Sequence, residues 1–269
     1  MTQSASTYLD RILADKRTEL AGRRGQRTGA MTDRALDEML AGLPPTRDFL
    51  SALGIGPRPA VIAEFKRASP SRGPIREGAD VREIVAGYQR AGAAAVSVLC
   101  DHHFDGSLDD LRAARAVLDI PVLCKDFILE RTQLVDARQA GADAVLLIVA
   151  ALPAPTLRPL ITFAHGLGLH VLCEAHDEHE IDRAMSAGAQ IVGINARDLR
   201  TFDLNLDRAL ALRARVPRTF ACVAESGIET SADLRRARDA GVDAVLVGTS
   251  LMTAEDPRQA LVSLLDGSL

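Results

Sequence analysis

The 269-residue chain has no tryptophan, and aromatic residues make up only 3% of it. An aromatic side chain placed in a loop therefore stands out. Long apolar runs are missing as well. The longest, Ala144 to Leu152, falls far short of the ~18 residues that a membrane span needs. The opening segment, MTQSASTYLDRILADKR, is charged and lacks the apolar stretch of a secretory signal. Neither sign of charge dominates: 32 basic and 36 acidic residues give a formal net charge of −4. A membrane protein, a disordered tail and a nucleic-acid binder driven by bulk positive charge are all disfavoured. Cysteine is sparse too. Cys100, Cys124, Cys173 and Cys222 form no C-x-x-C pair and no closely spaced zinc set. Each ends an apolar run, where a free thiol packs as a small hydrophobe. A cytoplasmic location is expected.

Lysine is the most informative scarcity. Of the 32 basic residues only three are lysines, namely Lys16, Lys66 and Lys125. A coding bias toward arginine produces such a ratio without selection on the protein. A lysine that persists under that bias points to a position arginine cannot fill. An ammonium can release a proton near neutral pH when its pKa is lowered, whereas a guanidinium cannot. Lys66 and Lys125 are singled out on that ground before any motif is considered.

What is present is a repeat. RAGAAAVSVL (90–99), QAGADAVLLI (139–148), SAGAQIVGIN (186–195) and DAGVDAVLVG (239–248) each read as a helix end, a glycine and a short strand. Between them lie VIAEF (61–65), PVLCKDF (121–127), LHVLCEA (169–175) and TFACVAES (219–226). Interleaving the two sets gives eight strands, separated by amphipathic helices. Asp80 caps a helix to Arg90 with Val81, Ile84, Val85 and Tyr88 on one face. Further helices are expected over 108–118, 130–140, 154–167, 177–187, 207–215, 231–240 and 256–265. A closed (β/α)₈ barrel and a doubly wound open sheet both fit such alternation. Even spacing and the lack of G-x-G-x-x-G after the first strand favour the TIM barrel. Residues 1–60 read as a helical extension packed on it, within one domain of 1–269. Its helices carry a stripe of Leu9, Ile12, Leu13 and Leu20, then 35–40 and 49–53, punctuated by Pro44-Pro45 and Gly54 to Pro59.

Barrel enzymes work at the C-terminal ends of their strands. Here those ends carry Glu64 and Lys66, Lys125 and Asp126, Glu174, Asn195 and Arg197, and Glu225 and Ser226. Strand alternation puts Glu64 and Lys66 on one side. Carboxylates, lysines and an arginine at one mouth suit proton transfer on an anionic substrate, with close charges able to push a lysine toward neutrality. Glu225-Ser226-Gly227 and Gly248-Thr249-Ser250 occupy the loops where barrels bind phosphate. His102 and His103 lie in the loop after strand 2. His176 and His179 could form half a metal site, but a solvated helix start is the simpler expectation. Glu180 fits the capping box of that helix. Phe104, in DHHFDGS, could pack on a planar ring or anchor its loop.

These residues resemble the indole-3-glycerol phosphate synthase family. The resemblance is carried by AEFKRASPSRG (63–73), FDGS (104–107), LCKDFI (123–128), GADAVLLIVA (141–150), GINARDL (193–199), AESGI (224–228) and GTSLM (248–252). It runs from about Tyr8 nearly to the end. Such enzymes convert 1-(2-carboxyphenylamino)-1-deoxyribulose 5-phosphate to indole-3-glycerol phosphate, carbon dioxide and water. The resemblance implies a catalytic set of Lys125, Lys66, Glu64, Glu174, Asn195 and Glu225. Lys125 would be the general acid on the substrate carbonyl. Lys66 would grip carboxylate and phosphate and assist dehydration. Glu64 and Glu174 would orient the lysines, take the ring proton and stabilise positive charge. The implied substrate-binding set is Arg197, Ser226, Gly227, Gly248, Thr249, Ser69, Phe104 and Phe127. Two positions depart from many members: Thr249 stands where an acid is common, and Asp198 where Asn is common. No metal or organic cofactor is implied. The expected partner is a phosphorylated small molecule, with no nucleic acid or membrane, for a monomeric chain. The strand-end residues also admit a lyase using a Lys125 Schiff base, or a phosphate-binding barrel without catalysis.

Overall fold

The computed structural model describes residues 7–26, 33–54, 59–69, 72–198 and 201–267. The first six residues, most of the Gly54–Pro59 break, Pro70-Ser71 of the AEFKRASPSRG segment and Leu199 of GINARDL lie outside them.

Eight parallel strands close into a barrel: β1 Ala60–Phe65, β2 Ala95–Leu99, β3 Val122–Lys125, β4 Ala144–Ile148, β5 His170–Ala175, β6 Ile191–Asn195, β7 Ala221–Glu225 and β8 Ala244–Val247. Each strand pairs with its neighbours in sequence, and β8 pairs back to β1. The architecture is a (β/α)₈ TIM barrel. A short antiparallel ribbon, Ala68–Ser69 with Gly73–Pro74, rises from the loop after β1. The repeat is real in three dimensions. Its glycines, Gly92, Gly141, Gly188 and Gly241, all hold φ between 77° and 100°, the left-handed conformation that ends a helix and turns the chain into a strand.

The extension consists of α1 Tyr8–Gln26, α2 Asp33–Ala41 and α3 Phe49–Gly54. The outer helices are α4 Val81–Ala91, α5 Leu108–Arg115, α6 Arg131–Gln139, α7 Ala154–Gly166, α8 Glu178–Ala187, α9 Leu206–Leu212, α10 Ser231–Ala240, the short α11 Thr249–Thr253 and α12 Pro257–Asp266. Two helices end earlier than their apolar pattern suggests. α5 stops at Arg115, and beyond it the Gln89 side chain accepts from the Asp119 and Ile120 N–H groups, at 2.7 and 3.2 Å, where the chain leads into β3. α9 gives way at Leu212 to a tighter turn over Arg213–Arg215.

Strand alternation divides the core in two. Val61, Ala63 and Phe65 of β1 face the helices, as do Val171, Cys173 and Ala175 of β5. Ile62, Leu123, Leu172, Ile191, Val223 and Leu246 face the barrel axis, and there they meet Phe49 and Leu53 of α3 and Leu9, Ile12 and Leu13 of α1. Two residues further along each inward column stand Glu64, Lys125, Glu174, Gly193, Glu225 and Gly248. The fold therefore seats an apolar floor beneath a polar layer.

Candidate active site

The polar layer follows from barrel geometry, in which alternate strands contribute the four side chains of one layer. Strands β1, β3, β5 and β7 supply Glu64, Lys125, Glu174 and Glu225. Lys125 Nζ lies 2.5 Å from Glu225 Oε2, 3.7 Å from Glu174 Oε2 and 3.9 Å from Glu64 Oε2. Lys66, one residue past the end of β1, donates to Glu64 Oε1 at 2.8 Å. Ser97 on β2 is in register with Glu64 and reaches its other oxygen at 3.5 Å.

Two glycines make room for these carboxylates. A Cβ on Gly248 would come within 2.5 Å of Glu64 Oε1, and one on Gly193 would collide with Glu225 Oε1. Ser226 and Gly227 then turn the chain at the end of β7 with φ of 66° and 80°. A left-handed serine is uncommon, and such conformations concentrate where a site dictates the backbone.

Burial and charge compete over the protons of Lys125, Glu64 and Glu225. Burial works against the charge on Lys125, but Glu225, Glu64 and Glu174 outweigh it and hold the ammonium well above its ordinary range. Burial works against ionised Glu64 as well, and there Lys66 and Lys125 prevail, so its pKa is lowered. Glu225 goes the other way. Burial, helped by Glu174 and Glu64 against the pull of Lys125, raises its carboxyl to about 7.

Above this layer opens a pocket. Its wall contains Phe104 and Phe127, roughly parallel rings with centroids 6.4 Å apart. Opposite them lie Asn195 and Arg197, Ser226 and Gly227, and Gly248 and Thr249. Asn195 Oδ1 accepts from the Arg197 N–H at 3.0 Å, and the Arg197 guanidinium donates to the Phe202 carbonyl at 3.1 Å. Aromatic walls, the cationic side chains of Lys66, Arg72, Lys125 and Arg197, and two glycine turns make a cavity suited to a planar ring that carries anionic groups.

The family model for indole-3-glycerol phosphate synthase matches residues 9–264. The chain belongs to the indole-3-glycerol phosphate synthase family. It is 46% identical over 257 residues to the indole-3-glycerol phosphate synthase of Parafrankia sp., covering 95% of this chain and 94% of that one. It is 44% identical over 254 residues to indole-3-glycerol phosphate synthase 2 of Streptomyces coelicolor, covering 94% and 98%. Among solved structures, 3-hexulose-6-phosphate synthase from Salmonella typhimurium superposes with a TM-score of 0.62 at 15% identity, over 78% of this chain and 98% of that one. Thiamine phosphate pyrophosphorylase from Pyrococcus furiosus gives 0.57 at 20% identity, over 78% and 94%. These two share the fold. Membership in the synthase family makes the chain an indole-3-glycerol-phosphate synthase by class, a carboxy-lyase of tryptophan biosynthesis.

Of the residues the family resemblance implies, Glu64, Lys66, Ser69, Phe104, Lys125, Phe127, Glu174, Asn195, Arg197, Ser226, Gly227, Gly248 and Thr249 all line the one pocket. Glu225 joins the cluster from beneath, only 1% exposed and in contact with Lys125. Three expectations need correction. No cluster of charges drives Lys125 toward neutrality, because three carboxylates surround one ammonium. His176 is no solvated helix start: its side chain is packed between Glu174 and Glu180. Glu180 does not close a capping box on Asp177 either. It reaches back one residue further, to His176, while Asp177 caps α8 by accepting from the Glu180 N–H at 2.8 Å. His179 is exposed, as expected.

Phe202 and Arg72 also line the pocket, with no signal in the sequence to mark them. Both sit in irregular segments without periodicity. Lys16, the third lysine, was visible as a rarity but had no assigned place. It is buried, with Nζ 2.7 Å from Asp101 and 2.9 Å from Asp126, and so ties α1 to the loops after β2 and β3. His102 and His103 bring three possible ligand atoms together with Asp101, but Asp101 is already engaged by Lys16 and His103. The four cysteines are free and buried.

Proposed function

We propose that this chain closes the indole ring of 1-(2-carboxyphenylamino)-1-deoxyribulose 5-phosphate by lysine and glutamate acid–base chemistry. The observation that carries the proposal is Lys125, an ammonium held by three carboxylates at the floor of an aromatic-walled pocket. A general acid must begin protonated. The same carboxylates that keep the proton on Lys125 also hold the ammonium in place at the pocket floor.

In this scheme the anilino ring lies against Phe104 and Phe127, and its carboxylate meets Lys66 and Arg197. The phosphate sits between Ser226-Gly227 and Gly248-Thr249, where backbone N–H groups after β7 and β8 serve barrel enzymes as anion sites. The ring carbon attacks the substrate carbonyl while Lys125 gives its proton to the carbonyl oxygen. Carbon dioxide then leaves from that same carbon, which carried the carboxylate, and its electron pair restores the aromatic ring. Glu174 takes a proton from the former methylene carbon of the new five-membered ring as the neighbouring hydroxyl, protonated by Lys66, leaves as water. Positive charge that develops on the anilino nitrogen is stabilised by the buried carboxylates without reorganisation. Glu225 positions Lys125 from below, and Asn195 lines the wall that the substrate hydroxyls face. A monomer in a reducing cytoplasm suits the four free thiols.

Incubation of the chain with the carboxyphenylamino deoxyribulose phosphate tests the proposal, with indole absorbance as the readout. A rise in that absorbance is expected. A Schiff-base lyase at Lys125 would instead give a covalent adduct on borohydride reduction with a ketose phosphate. A chain that binds the substrate and neither converts nor traps it would be a binding protein.

A further inference from the structure

One buried imidazole next to the site has no part in the scheme above. His176 follows β5, two residues after Glu174. Its Nδ1 lies 3.1 Å from Glu180 Oε2, and its backbone N–H donates to that same oxygen at 2.8 Å. Its Nε2 faces Glu174 Oε1 at 3.5 Å, and both of those atoms are buried without a hydrogen-bond partner. An ionised carboxylate offers acceptors only. An imidazole with a carboxylate at each ring nitrogen can serve both only when both nitrogens carry protons. The two oxygens of Glu174 are thereby divided: Oε1 faces His176, and Oε2 faces Lys125 at 3.7 Å.

We propose that Glu180 and His176 are positioning residues for Glu174. Glu180 holds the imidazolium through Nδ1, and the imidazolium presents Nε2–H to Glu174 Oε1, leaving Oε2 for Lys125 and the substrate. This inference rests on the ring-closure scheme, in which Glu174 acts on the substrate. The charged groups around His176 come from four elements. Glu174 lies on β5, Glu180 on α8 and Glu225 on β7, while Arg208 of α9 donates to the His176 carbonyl at 3.4 Å. Asp198 and Asp203 line a second cavity that His176 also borders. Burial draws the imidazole toward neutrality, but the Glu180 hydrogen bond and the carboxylates of Glu174, Glu180 and Glu225 outweigh it and raise its pKa above 6.5. The sign follows. The positioning form is the protonated one, so turnover falls on the alkaline side as His176 loses its proton.

Imidazole NMR of the substrate-free chain reads this contact without reference to activity. The His176 titration should move to lower pH by about half a unit or more in both Glu174→Gln and Glu180→Gln, since each removes a charge that favours the imidazolium. In steady-state kinetics, Glu180→Gln should shift the alkaline limb of kcat to lower pH. His176→Gln should abolish that limb and lower kcat on the order of 10-fold, the scale for losing an outer partner of a reacting group, with KM little changed. His179→Asn, at an exposed position of α8, should behave as the parent. If His176→Gln fails to fold, Glu180→Gln carries the kinetic test alone. A His176 titration that ignores Glu174→Gln, or a Glu180→Gln profile superimposed on the parent's, would overturn the inference. A parent that does not convert the substrate would sink the ring-closure scheme, while the NMR titrations still decide whether His176 and Glu174 are coupled.

Discussion

Lys125, Glu64 and Glu225 take their protonation states from their neighbours more than from their residue types. Lys125 and Glu225 make a 2.5 Å contact, yet burial is overcome in one and prevails in the other: the surrounding carboxylates keep the lysine protonated, while the carboxyl gains affinity for a proton. The Glu225 carboxyl, near 4.5 in an unfolded chain, is raised to about 7 in the folded one. Between these values the folded chain binds more protons than the unfolded chain, so stability falls as pH rises through that window and levels off above it. Glu225→Gln removes the titration. Urea unfolding at about pH 5 and about pH 8 should therefore show the parent losing stability, relative to Glu225→Gln, at the higher pH. An equal difference at both pH values would show that Glu225 ionises in the fold as it does in water.

At the scale of elements, the inward columns of the strands account for most of what could be read from the sequence. A period of two places Glu64 above Ile62, Lys125 above Leu123, Glu174 above Leu172 and Glu225 above Val223, and the strand ends alone give their height. The glycine repeat likewise announced the helix-to-strand turns. Phe202, Arg72 and the His176–Glu180 contact were not legible, because they depend on how loops and a helix start lie against neighbouring strands. The partner of Lys16 was hidden for the same reason: Asp101 and Asp126 are far from it in sequence. This lysine joins α1 to the barrel, with Asp101 fully buried beneath it. Lys16→Met would leave that carboxylate without its cation, at a cost of about 3–5 kcal/mol for a broken buried pair. Urea unfolding measures this directly. A loss under about 1 kcal/mol, as for an exposed pair, would mean that α1 is held by its Leu9, Ile12 and Leu13 stripe alone.

For the molecule as a whole, the fold stacks an apolar barrel floor, a charged layer and a pocket with glycine turns on one rim, and the proposed scheme gives the holding and the reacting of a substrate to different parts of that stack. Inorganic phosphate or sulfate should compete with the substrate, and a crystal grown in either should hold an anion between Gly227 and Gly248. A substrate without its phosphate should lose turnover as well as affinity, because remote binding energy helps to place the reacting ring. Anion binding elsewhere, with no competition, would remove the anchor from the scheme. The proposed scheme turns most directly on the proton of Lys125. Single-turnover ring closure by Lys125→Ala, set beside the parent and beside the affinity of each for the product, isolates that proton. The chemical step should slow by at least ~10²-fold, the lower range for a positioned donor, with product affinity changed far less. Lys125→Arg should fail almost as badly, since a guanidinium does not release its proton. Ring closure by Lys125→Ala within a few-fold of the parent would contradict the assignment.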